Sequence, residues 1–468
     1  MVSKKIKLMS ILTIIITTIL VAIAVIFESK LKVVSSISYY GNSIYIDSLN
    51  VIQLILISTV SFIAAIYSYK YIKEEVEEKE IDEKSARLYY ILFNLFVISM
   101  LVVSLSNNIV LMWIGLEATT LSTAFLIGFN KHKLSLEAAW KYIIICSVGI
   151  VLGLIGIILL IYASNASVSE ALNWTYLVNH YSNMNKVIVK FAFSFIFVGI
   201  GTKAGLAPMH TWLPDGHSES PSPISAMMSG VLLNLALYVI VRFYIIIRQI
   251  QGLHKMSYLF IVFGMISLII SSFSILKQKN YKRLLAFSSV ENLGIITLGF
   301  GIGSKIAVFG AVLHSIIHAY GKTLLFLVSG NILSAYKTKR ICKVKNLIKT
   351  MPINTVFLMM GILIITGVPP FASFFSEYSI LIASIKNNNY IVAAIYTVCL
   401  LIVFAGFLKA FMSMIFDKSE DYNEKNPKDR ENIWPLALAF LAVIFVSLFS
   451  NGEINSLINR AVNIIIGN

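Results

Sequence analysis

Charge is what this sequence has least of. Only 13% of its 468 residues are Asp, Glu, Lys or Arg, where a soluble domain carries about 25%. With 57% hydrophobic residues and a mean hydropathy of +0.82, that shortage excludes an ordinary soluble chain. It leaves a polytopic helical membrane protein. Cysteine is nearly absent too: Cys146, Cys342 and Cys399 lie far apart, with no CxxC and no metal spacing. This speaks against an iron–sulfur cluster or a disulfide framework. There is no GxGxxG after a strand pattern, no P-loop and no CxxCH, so no cofactor or metal is expected in this chain. The net charge of +15 does not call for nucleic acid, because membrane proteins gather Lys and Arg in cytoplasmic loops. The opening MVSKKIK resembles the start of a signal peptide, but no small-residue cleavage pattern follows and an uncleaved first helix is expected.

What is present is apolar length. A spanning helix needs about 20 apolar residues, and that ruler gives about thirteen spans: 8–27, 49–72, 88–105, 109–129, 137–162, 187–208, 222–247, 257–276, 284–302, 306–334, 352–385, 390–416 and 432–450. The positive-inside rule puts the N-terminus in the cytoplasm, together with Lys131, Lys133, Lys277–Arg283, Lys337–Lys349 and Lys418–Arg430. The opposite loops, such as Tyr162–Lys186, are almost free of Lys and Arg. The acidic run Lys73–Arg87 reads as a solvated helical extension, with a docking patch as the lesser reading. In the tail 453–466, one face carries Ile454, Leu457, Ile458, Ala461, Val462 and Ile465. It predicts a short helix in the membrane interface or against a neighbouring subunit.

Two spans carry breaks. After the apolar run ending at Ile200 comes GTKAGLAPMHTWLPDGHSESPSPIS, with Pro208, Pro214, Pro221 and Pro223. Proline removes a backbone donor, and hydrocarbon punishes unsatisfied backbone. Such a break survives only within protein or water, so Lys203 beside it is a candidate ion site. The long segment 352–385 contains Gly367, Pro369 and Pro370, with Glu377 in its second half, and reads as a second broken helix. Paired breaks suggest two inverted five-helix repeats. The organisation expected is therefore 1–87 as N-terminal helices and acidic loop, 88–248 and 249–416 as the two five-helix units, and 417–468 as the C-terminal loop, last helix and amphipathic tail.

Each ionisable residue deep in a span needs a partner or water. Glu117 sits mid-span, and Lys203 at similar depth is its natural partner. The pair is either a static structural bridge or a switch, since a lysine in an apolar site holds its proton when an acid approaches and loses it more readily when alone. His314, His318 and Lys322 stand at i, i+4 and i+8, on one helical face covering about 12 Å of depth. Imidazole accepts at one nitrogen and donates at the other, so this line predicts a proton path. A metal site there lacks a third good ligand. Glu291 opens the ninth span beside a basic loop, where solvation would account for it. Lys409 reads as snorkelling to the interface, and Lys141 as ordinary.

Together these residues resemble a known family, the antiporter-like subunits of respiratory complex I, Mrp-type cation/proton antiporters and membrane-bound [NiFe] hydrogenases. KAGLAPMHTWLPDGHSESPSP is similar to the family's first-break signature. LHSIIHAYGKTLLFLVSGNI resembles its HAxxKxxLF segment, and YKRLLAFSSVENLG and GVPPFASFFSE follow in the right order. The similarity covers about residues 88–415. WIGLEATTLSTAFLIGF with EAAWKYIIICSVG resembles the F component of hydrogenase-4 and of formate hydrogenlyase-type complexes. The resemblance implies a proton relay through Glu117, Lys203, His314, His318, Lys322 and Glu377. It also implies a departure: many family members carry a lysine in a segment like GxLLKxxxYxxxRF, and here GVLLNLALYVIVRFY places Asn234 there. Asparagine cannot titrate, so a hydrated path past Asn234 replaces the direct lysine relay. Against the usual fourteen helices, the resemblance leads one to expect one N-terminal helix fewer in this sequence.

The expected function is a proton-translocating subunit of a redox-driven complex, hydrogenase-4-like or NADH dehydrogenase-like, in the cell membrane. Redox centres ([NiFe] or Fe–S) would belong to partner subunits, both membrane and peripheral. The alternatives are a subunit of a multisubunit Na⁺/H⁺ antiporter, or a structural arm that pumps nothing.

Overall fold

The structure is a computed structural model that describes residues 4–417, 431–448 and 452–467. The basic segment Lys418–Arg430 lies outside the described residues. Helix α1 is Lys4–Lys30, followed by a hairpin of β1 (Ser36–Tyr39) and β2 (Ile44–Asp47). The strands pair antiparallel, Ser36 opposite Asp47 and Tyr39 opposite Ile44. Then come α2 (Ser48–Glu77), α3 (Glu83–Leu105), α4 (Ile109–Ile127) and α5 (Lys133–Ala163), with the short α6 (Val168–Ala171) and α7 (Trp174–Asn179). Next are α8 (Lys186–Ala204), α9 (Trp212–Glu219), α10 (Ser222–Met227) and α11 (Leu233–Gln249), then α12 (Ser257–Leu276), α13 (Tyr281–Ile302) and α14 (Lys305–Tyr336). The chain ends with α15 (Leu347–Thr350), α16 (Pro352–Ile365), α17 (Ala372–Lys386), α18 (Tyr390–Phe416), α19 (Ile433–Leu448) and α20 (Glu453–Ile466).

The chain is a polytopic all-helical membrane protein. Among the described residues, 11 helical segments are long and apolar enough to cross a membrane, or up to 12 if the bent pair α19–α20 counts as one. The expected span 352–385 is two shorter helices, α16 and α17. Polar caps fix where spans begin. Asp47, Asn108, Asn185 and Asn280 each accept from the first backbone donors of α2, α4, α8 and α13, groups that have no partner inside the helix.

Burial sorts the helices into two shells. The apolar cores of α10–α11, α13 and α14 are fully buried inside the bundle. By contrast α1, α5 and α18 show rows of exposed Ile, Leu and Val outward, as lipid-facing helices do. Both expected breaks are present. Helix α8 ends at Ala204 with Gly205 left-handed, and a 3₁₀ turn leads into α9. Helix α16 ends at Ile365, and α17 starts at Ala372. The seventh span contains a π-helical turn at Met228–Leu232 between α10 and α11.

Close packing sets the depth of Lys203. Helices α5 and α8 meet through Gly149, Gly153 and Gly156 facing Gly199 and its neighbours. A Cβ on Gly199 would lie 2.4 Å from the backbone N of Gly153, a separation no side chain tolerates. This small-residue seam locks the end of α8 against α5. The tail helix α20 corrects an expectation. Its apolar face, Leu457, Ile458, Ala461, Val462 and Ile465, is buried against α2, α11 and α14 of the same chain, not against a neighbour.

Candidate functional site

Lys203 is completely buried on the last turn of α8. Its Nζ donates to Thr120 Oγ1 at 2.8 Å and to the Tyr142 hydroxyl, and it sits 4.7 Å from the Tyr142 ring centre. Both acceptors are neutral. Tyr142 is itself tied to Thr123 at 2.6 Å. Glu117 is half-buried and accepts from Ser147 Oγ at 3.0 Å, while its Oε2 has no protein partner. Thr120 and Glu117 are three residues apart on α4 and so share a face. The two charges are neighbours across one helical turn without forming an ion pair. An ammonium has three donors, so Lys203 keeps one for an acid or water.

His314, His318 and Lys322 line one face of α14, all buried. Lys322 Nζ donates to Leu285 O at 2.9 Å and to Ser288 Oγ. The His318 ring faces the backbone of Ser229, but neither ring nitrogen makes a well-formed hydrogen bond to the protein. His314 is held at both: Nε2 lies 2.9 Å from Asn292 Oδ1 and Nδ1 lies 2.8 Å from Ser376 Oγ. The Ser376 hydroxyl also reaches Ser373 O at 2.7 Å. It can donate to the ring when His314 is neutral and turn to Ser373 when the ring donates. Next to Ser376, Glu377 points into the second break. A Cβ on Gly367 would fall 2.1 Å from Glu377 Oε2, so only glycine leaves room for that carboxyl. Gly367 also sits at φ +64°, a conformation glycine adopts freely. Glu377 Oε1 has no protein partner.

Asn234 Nδ2 donates to Gly230 O at 2.9 Å and to Ser315 O at 3.1 Å. Its Oδ1 is buried and unpartnered, as is Oε1 of Gln53. Both residues line a cavity of about 20 Å³ together with Tyr238 and Ser315, room for about one water. Two unpartnered acceptors on residues lining the same cavity suit that molecule, which has two protons to donate.

Three features escaped the sequence reading. Glu291 is not solvated: it is 1% exposed, nearly three turns into α13, where it accepts from Asn292 Nδ2. Through Asn292 it joins His314. His217 on α9 is fully buried with both ring nitrogens unpartnered. Arg242 on α11 is buried in a fork against Asp47, at 2.7 and 2.6 Å. The last two had a readable signal, a titratable or charged group inside an apolar or broken span. The first was misread because a basic loop precedes it. Lys409 is exposed, and Lys141 pairs with Glu137 at 2.7 Å and Asp215 at 3.2 Å. Among the described residues no cluster of His, Cys, Asp and Glu is disposed to hold a metal ion.

The fold and site thus define a multi-pass membrane protein with buried titratable groups strung between two broken helices. Residues 106–403 match the family described as "NADH:quinone oxidoreductase/Mrp antiporter, TM", and the chain belongs to that family. It is 36% identical over 358 residues to a hydrogenase-4 component F homolog of Methylacidiphilum infernorum, covering 76% of this chain and 75% of that protein. It is 30% identical over 470 residues to Na(+)/H(+) antiporter subunit A1 of Staphylococcus aureus (strain Newman), covering 93% of this chain and 56% of that protein. The chain therefore spans little more than half of the antiporter subunit's length. A chain in the structure of the membrane-bound sulfane sulfur reductase, an archaeal respiratory membrane complex, superposes with a TM-score of 0.86 at 23% identity, over 98% of this chain and 92% of that one.

Proposed function

We propose that the chain is the proton-translocating arm of a redox-driven membrane complex, in the class of hydrogenase-4 or NADH dehydrogenase. The observation that carries this is Lys203. It is a fully buried amine on a broken helix, held only by neutral hydroxyls, with a carboxylate one turn away. A lysine so placed gains or loses its proton according to where Glu117 stands.

In this reading, chemistry in partner subunits shifts charge along the membrane and moves Glu117 relative to Lys203. The released proton passes through water beside Asn234 to His318, Lys322 and His314. His314 hands it through Ser376 to Glu377, with Glu291 and Asn292 balancing charge. Redox centres, [NiFe] or Fe–S, belong to the partners. The basic loops and N-terminus face the cytoplasm of the cell membrane, and the two five-helix units, 88–248 and 249–416, each carry one broken helix. In the whole complex sealed into vesicles, Lys203→Ala should abolish proton movement while electron transfer and assembly persist. Undiminished pumping in that variant removes the central claim.

A second reading is favoured by the 30% identity to the Na(+)/H(+) antiporter subunit. The same relay would then exchange protons for sodium. Sodium-dependent proton exchange in vesicles given no electron donor would select it.

A further inference from the structure

A relay of buried groups needs an entrance from water. A polar cavity of about 310 Å³ opens at the end of the bundle that carries the basic loop after α14 and the end of α2. The start of α1 lies at that same end, where Lys7 lines a surface cleft with Lys73 and Glu77. Ion pairs ring the mouth: Lys337 with Glu78 and Glu80 at 2.5 and 3.0 Å, and Lys339 with Glu219 at 2.8 Å. The acidic run expected to be a solvated extension is thus one wall of this vestibule. Within that run Glu75 also lines the cavity, and its Oε2 is buried without a hydrogen-bond partner. Inside lies Lys282, only 1% exposed, donating to Ser220 O at 2.9 Å.

His217 stands three residues before Ser220, behind this floor. Its ring packs 5.3 Å from the Phe326 ring, and Phe326 is one turn beyond Lys322 on the same face of α14. On its other side Trp212 lies 6.3 Å from His217 and 4.8 Å from Tyr142, the residue that holds Lys203. Among the described residues, His217 is therefore the buried imidazole placed between the vestibule, the Lys203 cluster and Lys322. Two unpartnered nitrogens in a site flanked by two buried lysines are costly for a residue with only a packing role.

We propose that Lys282 and His217 form the proton entrance, and that His217 is a proton-carrying residue of the relay. The assignment rests on the translocation reading above. A proton from vestibule water, gathered by the Glu75 carboxylate, passes to the Lys282 amine. His217 takes it at one ring nitrogen and releases one from the other toward Lys322 or the Lys203 cluster, through single waters. Each transfer breaks one N–H or O–H bond and forms another, so no electrons move and no co-reactant is needed.

The test uses the whole complex in sealed vesicles and reads protons moved per electron transferred. His217→Ala and Lys282→Met should each lower that ratio by about 100-fold, the scale of a lost acid–base group, with electron transfer continuing. Imidazole supplied at the vestibule side should restore His217→Ala and leave Lys203→Ala silent. A wild-type ratio in His217→Ala beside a silent Lys203→Ala overturns the entrance and leaves the translocation reading standing. Loss in His217→Ala without any imidazole rescue assigns His217 a structural role and also overturns it. Pumping that survives Lys203→Ala sinks both. If His217→Ala does not accumulate, His217→Gln keeps the volume without a titratable nitrogen, and a wild-type ratio there is equally fatal.

Discussion

Two buried cations in this bundle are held in opposite ways. Arg242 is saturated. It forks onto Asp47 at 2.7 and 2.6 Å, meets Asn50, donates to the Tyr238 hydroxyl at 2.9 Å and lies 4.5 Å over the Trp174 ring. Asp47 in turn caps α2 through Leu49 and Asn50. Arginine stays charged and its fork matches a carboxylate, so this cluster has one stable arrangement and bolts α2 to α11. Lys203 is unsaturated. Its partners are two hydroxyls, and the nearest carboxylate binds a serine instead. The first geometry suits an anchor. The second suits a group whose charge must change, because nothing in its shell demands one protonation state.

The strongest way to break that contrast is to treat the anchor as a relay. Arg242→Met leaves Asp47 charged and buried. Removing one partner of a buried pair costs about 3–5 kcal/mol, so the variant should accumulate poorly and melt at much lower temperature in detergent. Arg242→Met with Asp47→Asn should recover most of the loss, since asparagine still caps α2 and carries no charge. A single variant as stable as the parent would show that the pair holds nothing together.

Lys203→Met makes the complementary case. Its hydroxyl partners remain bonded elsewhere, Tyr142 to Thr123 at 2.6 Å and Thr120 to Leu116 O at 3.3 Å. Melting temperature should therefore stay near that of the parent while proton movement stops. If Lys203→Met destabilises as much as Arg242→Met, the distinction between anchor and relay collapses.

A smaller effect is expected at Asn234. Asn234→Leu fills the cavity shared with Gln53 and leaves the Gly230 and Ser315 carbonyls without that donor. Each lost hydrogen bond is worth about 0.5–1.5 kcal/mol, so the fold should survive with slowed transport. Asn234→Lys should run at a rate near the parent's, because it restores a titratable group at the same site. Parental rates in the leucine variant would take Asn234 out of the path.

The sequence showed α14 because histidine, histidine and lysine at i, i+4 and i+8 have one geometric meaning on a helix. It showed both breaks because proline and glycine inside apolar runs leave few alternatives. It could not show which acids end up dry. Glu291 lies nine residues after Lys282, about 13 Å up a helix at 1.5 Å per residue. Only the packing of α13 within the bundle reveals that this is interior. His217 was legible as a titratable group inside a broken span, but its surroundings were not, since Phe326 reaches it from α14, far along the chain. The path of α20, folded back onto α2, α11 and α14, has no local signal either, because an amphipathic face does not name its partner.

The finest test of the contrast is Ser147. Among the described residues its hydroxyl makes the one protein hydrogen bond to the Glu117 carboxylate, and so the one that keeps the acid away from Lys203. Hydrogen bonds to charged groups are worth about 1.5–3 kcal/mol when buried; Glu117 is only half-buried, and about 1 kcal/mol is a fair discount. Ser147→Ala should release the carboxylate toward the lysine by that amount. A lysine paired with an acid holds its proton, so transport should slow by about fivefold, given that 1.4 kcal/mol is tenfold. Stability should not change, because the acid exchanges one partner for another. The rate in sealed vesicles, compared with melting in detergent, reads the two effects separately. An unchanged rate would mean that the separation of Glu117 from Lys203 is set by the packing of α4 against α5 and not by this hydroxyl. The switch would then have to work by moving a helix rather than a side chain.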